Sequence, residues 1–168
     1  LRAAHAVHPI AAVQSEYSLW TREPEDEMLD ACRELGVTFV AYSPLGRAML
    51  TGKLSSIEEL SDDDFRRHNP RFQGEAFARN KRLADALAEI AAEMNATPAQ
   101  VALAWLLSKH DHVVPIPGTR RKTHLQENVA AASIELDAQT IRRLDAVFAP
   151  DAVVGTRYAP EAMKGLNL

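Results

Sequence analysis

Three short runs of strand-forming residues, each followed by a helical pattern, restrict what this chain can become more than any other feature in it. From Ala11 to Ser18 the residues Ala11, Val13, Ser15 and Tyr17 alternate with Ala12, Gln14, Glu16 and Ser18, the period of a half-covered strand. Val37 to Tyr42 is a continuous apolar and β-branched run, as expected of a parallel strand covered on both faces. Val113 to Ile116 reads as a third strand, ended by Pro117-Gly118. Between the first two, Pro24 suits the opening of a helix with Glu23, Glu25, Asp26 and Glu27 near its positive end. Met28, Leu29, Cys32 and Leu35 supply its stripe and Gly36 stops it. Strands alternating with helices predict right-handed parallel βαβ units and an α/β fold.

Two helices are expected between the second and third strands. Leu83, Leu87, Ile90 and Met94 mark one face of a helix from about Ala78. Thr97, Pro98 and Gln100 form the N-cap, first-turn proline and capping-box partner of the next, which has almost no polar face through Leu107 and should be buried. After the third strand, a helix beginning at or beyond Thr119 runs to about Ala132, and a last one follows Asp137 with Ile141, Leu144, Val147 and Phe148 inward. The segment from Ser43 to Asn80, rich in charge, Gly and Pro, reads as a long loop, and loops of that length in compact domains are usually functional. Three strands are too few for a well-covered parallel sheet, and an open sheet of that size leaves edges able to pair with other chains. Leu1 also begins in mid-pattern, so the expectation is one domain lacking an N-terminal portion.

Several function classes are disfavoured by composition. A formal charge of −4 is the wrong sign for a non-specific nucleic-acid binder. No stretch approaches the ~20 apolar residues of a membrane span, and no signal-peptide pattern opens the chain. Cys32 is the single cysteine, which excludes an internal disulfide and suits a reducing, cytoplasmic setting. His110 and His112 lack a third ligand at metal-like spacing, so no metal site is expected.

Two strand ends carry the chemistry. After the third strand, Arg120, Arg121 and Lys122 stand at the start of a helix, where the dipole disfavours cations and unpaired N–H groups await acceptors. A bound phosphate would resolve the conflict, and this corner of parallel barrels is a recurrent phosphate site. The alternative is that the three cations simply point into water. His124 has no ligand pattern around it and reads first as a surface or packed histidine. After the second strand, Ser43, Gly46, Gly52 and Lys53 offer close backbone approach and donors to a diphosphate, although neither a P-loop nor G-x-G-x-x-G is present. Tyr42 suits either core packing or stacking on a planar ring.

Taken in order, Val13-Gln14-Ser15-Glu16-Tyr17-Ser18-Leu19-Trp20, Ala41-Tyr42-Ser43-Pro44-Leu45-Gly46, Leu50-Thr51-Gly52-Lys53, Pro70-Arg71-Phe72-Gln73-Gly74-Glu75, Ile116-Pro117-Gly118-Thr119 and His124-Leu125-Gln126-Glu127-Asn128 resemble the C-terminal part of an aldo-keto reductase, of the bacterial and plant branch with a long loop after strand seven. The resemblance implies a (β/α)8 TIM barrel, with the three strands found here as strands six, seven and eight. Such a barrel typically needs about 250 residues, against 168 here. It also implies NADPH-dependent reduction of aldehydes or ketones without a metal.

Carried over position by position, Gln14 would bond the nicotinamide carboxamide and Tyr42 would stack on its ring. Ser43, Pro44, Leu45, Gly46, Arg47, Ala48 and Lys53 would cradle the diphosphate, with Arg71 folding over from the long loop. Gly118, Thr119, Arg120 and His124 would hold the 2′-phosphate, while Glu127 and Asn128 would contact adenine. Trp20, Arg157 and Tyr158 would line the substrate pocket. The family's catalytic tyrosine, lysine, aspartate and histidine belong to the first half of the barrel, so no catalytic residue is assigned. The expected partners are a small carbonyl substrate and the missing N-terminal half. The alternatives are a cofactor-holding regulatory subunit without turnover and an inactive truncated fragment.

Overall fold

The computed structural model describes residues 1–166 as a three-stranded parallel sheet flanked by helices. Strands β1 (Ala12–Glu16), β2 (Thr38–Tyr42) and β3 (Val113–Pro115) lie in chain order. Helices α1 (Arg2–Val7), α2 (Met28–Leu35), α3 (Gly74–Glu93), α4 (Pro98–Lys109), α5 (Lys122–Ala130), α6 (Ala138–Val147) and α7 (Pro160–Met163) complete the element order. The three strand runs are each shorter than the sequence suggests. Pro24 sits in a 3₁₀ turn (Glu23–Glu25) ahead of α2 rather than in its first turn. The C-terminal end of α2 is read correctly: Gly36 takes φ +66 there, the left-handed cap geometry that glycine adopts without a Cβ penalty.

Register explains how the sheet is covered. Val13, Phe39 and Val113 form one cross-strand row, and Gln14, Val40 and Val114 form the next, so the rows point to opposite faces. The first row is packed by helices, with Phe39 and Val113 buried. The second is open: Gln14 is exposed and Val114 is 47% exposed, as is Ile116 just beyond β3 at 44%. The expectation that both faces of the second strand are covered is therefore met on one face only.

The covered face rests mainly on α4, whose residues Val101 to Leu106 are all buried, matching its nearly all-apolar sequence. The capping box is formed as expected, Gln100 N donating to Thr97 Oγ1 at 3.2 Å and Thr97 N to Gln100 Oε1 at 2.9 Å. Trp105 anchors this layer. Its Nε1 donates to Asp145 Oδ1 on α6 at 3.0 Å, and Arg22 and Lys109 lie against its ring at 5.0 and 4.5 Å from the centroid.

The segment after β2 has more order than a loop. Four 3₁₀ turns punctuate it, two of them capped by Asp64 and Asn69, and α3 begins at Gly74 rather than near Ala78. Asn80, fully buried on α3, donates to Arg71 O at 3.0 Å and Val154 O at 2.8 Å, and accepts from Val154 N at 2.9 Å. One side chain thereby ties the long segment to the C-terminal tail. Gly155 completes that junction at φ +93: a Cβ there would lie 2.9 Å from the Pro70 carbonyl. Among the described residues, no helix is long and apolar enough to cross a membrane.

Candidate functional site

The chain leaves β2 through a turn of left-handed residues. Ser43, Gly46, Arg47, Ala48 and Gly52 all have positive φ, at 49°, 55°, 55°, 77° and 69°. Such backbone costs of order 1–3 kcal/mol for each non-glycine residue and persists where the surroundings over-determine it. Gly46 cannot be replaced without displacement, since a Cβ would lie 2.7 Å from the Trp20 ring. The turn closes on itself through Gly46 N to Ser43 O at 2.9 Å and Thr51 Oγ1 to Ala48 O at 2.7 Å.

Opposite this turn stands the chain leaving β3. A cleft of about 520 Å³ separates the two, lined on one side by Ser43, Pro44, Leu45, Arg47, Ala48, Thr51 and Lys53. Ile116, Pro117, Gly118, Thr119, His124, Glu127 and Asn128 line the other side, and Ala99 of α4 lies between. Lys53 Nζ and His124 Nε2 approach to 3.4 Å across it. No side chain caps the start of α5, which leaves first-turn N–H groups for an outside acceptor. Arg120 lies on an adjoining shallow basin with Gly118, Thr119, Arg121 and His124. A cleft with glycine, lysine and an uncapped helix end fits a ligand carrying phosphates; the apolar Pro44, Leu45 and Ile116 fit its planar parts.

Not every expected residue reaches this cleft. Gln14 and Tyr42 stand on the open face of the sheet, Gln14 exposed and Tyr42 half-buried. Tyr42 shares its hydroxyl with Tyr158 at 2.9 Å. Burial first, then that bond, pushes Tyr42 up to about 12. Gly46 lies behind the wall, under Trp20. Arg71 is buried rather than laid over the cleft: its Nη1 donates to Thr21 Oγ1 at 2.6 Å and its Nε to Gly155 O at 3.3 Å. Trp20, Arg71 and Arg157 instead line a separate cavity of about 300 Å³ beside Phe148 and Met163.

Sequence reasoning missed Glu16, which is fully buried at the end of β1. Its Oε1 accepts from Thr21 Oγ1 at 2.8 Å and Arg71 Nη1 at 3.4 Å, and its Oε2 from Arg47 Nη2 at 2.9 Å. Nothing in the strand alternation distinguishes it from a solvated carboxylate, because its two cationic partners come from distant loops. Asn69 was missed as well, although Asn before Pro70 is a visible capping signal. Among the described residues, no group of three or more His, Cys, Asp or Glu could hold a metal ion.

Known proteins resemble this chain along most of its length. A family model described as the aldo/keto reductase family matches residues 1–149. A Schizosaccharomyces pombe protein named aldo-keto reductase yakc [NADP(+)] is 42% identical over 165 residues, which cover 96% of this chain and 48% of that protein. A crystal structure of a thermostable aldo-keto reductase with the inhibitor epalrestat is 35% identical with a TM-score of 0.64, covering 88% of this chain and 44% of the other. The structure of an aldo-keto reductase from Klebsiella pneumoniae in complex with NADPH is 26% identical with a TM-score of 0.59, covering 83% and 40%. The chain thus spans about half the length of the curated relatives it matches.

Proposed function

The chain belongs to the aldo/keto reductase family, and on that footing we propose that it supplies the last three strands of a (β/α)8 barrel and the cofactor cleft of an NADP(H)-dependent oxidoreductase. Its substrates are small aldehydes or ketones, reduced to alcohols. The observation that carries the reading is the cleft between the ends of β2 and β3, where a strained turn bearing Lys53 faces the uncapped start of α5. Ligand sites of parallel barrels lie at this C-terminal end of the strands. Relatives named for NADP(+) or crystallised with NADPH support the same dinucleotide.

The residues divide the ligand between them. Ser43, Pro44, Leu45, the backbone of Arg47, Ala48 and Lys53 take the diphosphate, with Gly46 shaping their turn. Gly118, Thr119, Arg120 and His124 take the 2′-phosphate, and Glu127 and Asn128 the adenine. Gln14 and Tyr42 meet the nicotinamide on the open sheet face. Trp20, Arg157 and Tyr158 border the carbonyl substrate, while Arg71 serves by holding the wall rather than by covering the ligand. When bound, NADPH supplies a hydride. No proton donor is assigned within the chain: Tyr42, held near 12 and bonded to Tyr158, is a poor general acid at neutral pH. The lone buried Cys32 suits a reducing cytoplasm.

Fluorescence titration of the complete polypeptide with NADPH tests the reading. Saturable binding is expected, weakened at least ~10-fold by Arg120→Glu, the order of one charge-assisted contact. Absence of binding in the unaltered protein overturns it.

A further inference from the structure

The left-handed turn that walls the cleft is held from behind through Arg47. Arg47, at φ +55, has a side chain only 7% exposed, and each end of the residue is committed. Its Nη2 donates to Glu16 Oε2 at 2.9 Å and its Nη1 to Arg157 O at 3.0 Å. The guanidinium lies 4.8 Å from the centroid of Tyr158 and 5.8 Å from that of Phe65. Its own carbonyl accepts from Arg66 Nη1 at 3.1 Å. Asn69 Nδ2 donates to the same Arg157 carbonyl at 2.9 Å. Arg47 therefore joins the end of β1, the long segment and the tail around one strained residue.

Of these partners only Glu16 is a buried anion. It faces two guanidiniums, Arg47 and Arg71, and is itself fully enclosed. A charge-assisted bond at 2.9 Å in a water-excluded place is directional and stronger than its exposed counterpart. Thr21 and Arg71 occupy the carboxylate's other oxygen, so Oε2 has a fixed direction toward Arg47. We propose that Glu16 is a positioning residue for the cofactor cleft: acting through Arg47, it locks the positive-φ turn 46–48 in the shape that receives the dinucleotide diphosphate. Loss of this lock weakens dinucleotide binding without touching the ligand and leaves turnover at saturating cofactor unaltered. The claim about binding rests on the proposed function; the claim about the turn does not.

Hydrogen exchange across residues 43–53 and dinucleotide titration, both on the complete polypeptide, test it together. Glu16→Asp keeps the charge but withdraws it by one methylene; Glu16→Gln removes the charge. Either variant should exchange at least ~10-fold faster in that segment and raise the NADPH Kd and the cofactor KM about 10-fold, with kcat held. In an Arg47→Met background the Glu16 substitutions should add nothing, as a path through Arg47 requires. A folded Glu16→Asp variant with unchanged exchange overturns the proposal, as does an effect that persists in Arg47→Met. If the unaltered protein binds no NADPH, the proposed function fails, and the exchange measurement still decides the role of Glu16. Should Glu16→Gln not fold, Glu16→Asp and the Arg47→Met background decide that role without it.

Discussion

Individual tyrosines in this chain are placed by their hydroxyls as much as by their rings. Tyr17 is buried between Phe39 and Trp105 while its hydroxyl donates to Glu25 Oε1 at 2.7 Å, so burial and that carboxylate push its ionisation far up. Tyr42 is the more informative case, because its bond to Tyr158 spans the strand end and the tail. Its folded value of about 12 lies above the ordinary 10.0, so the protonated form is bound more tightly when folded. The resulting stabilisation is complete below pH 10 and is lost as pH rises through 12. Tyr158→Phe removes the second cause and leaves the first. Absorbance titration of tyrosinate should then show the Tyr42 step moving down yet staying above 10. An unmoved step would mean that the Tyr42–Tyr158 bond contributes nothing to the raised value.

At the scale of elements, legibility followed the range of the interactions. The start and buried body of helix α4 were readable because their signals are local, a capping box within four residues and an unbroken apolar run, whereas the helix runs two residues past Leu107 to Lys109. Replacing Thr97 with Ala should cost about 1 kcal/mol, seen as a lowered urea midpoint with an unchanged slope. A loss of several kcal/mol would place Thr97 in something larger than a cap. The segment after β2 was legible only as a loop, since its 3₁₀ turns are too short for periodicity and are stabilised by distant partners. Asn80 secures Val154, and Asn69 and Arg47 share the Arg157 carbonyl. The cleft was half legible on the same principle. Glycines, Lys53 and the basic start of α5 announce themselves in sequence, whereas Glu16, whose pairing needs three segments folded together, does not.

For the whole molecule, the decisive feature is the uncovered face of the sheet. Val114 sits in the row with Gln14 and Val40 and is 47% exposed, although its sequence neighbours on β3 have the character of a buried strand. If the chain supplies three strands of a closed barrel, this row faces the filled interior, where side chains from alternate strands stack in layers. The cost of a charge there then depends on how much of the barrel is present. In the 168-residue chain alone, Val114→Asp should change stability by less than about 0.5 kcal/mol, as surface substitutions do. In a polypeptide joining this chain to the remaining strands of its relatives, the same substitution buries an unpaired carboxylate and should cost at least about 3 kcal/mol. Denaturant unfolding of both pairs makes the comparison directly. Equal, small effects in the two contexts would mean that the open face is a solvated surface and that the added strands do not close over it. A large effect confined to the longer polypeptide would place Gln14, Val40 and Val114 inside the barrel, leaving the cleft at the strand ends as the part of the site that this chain builds alone.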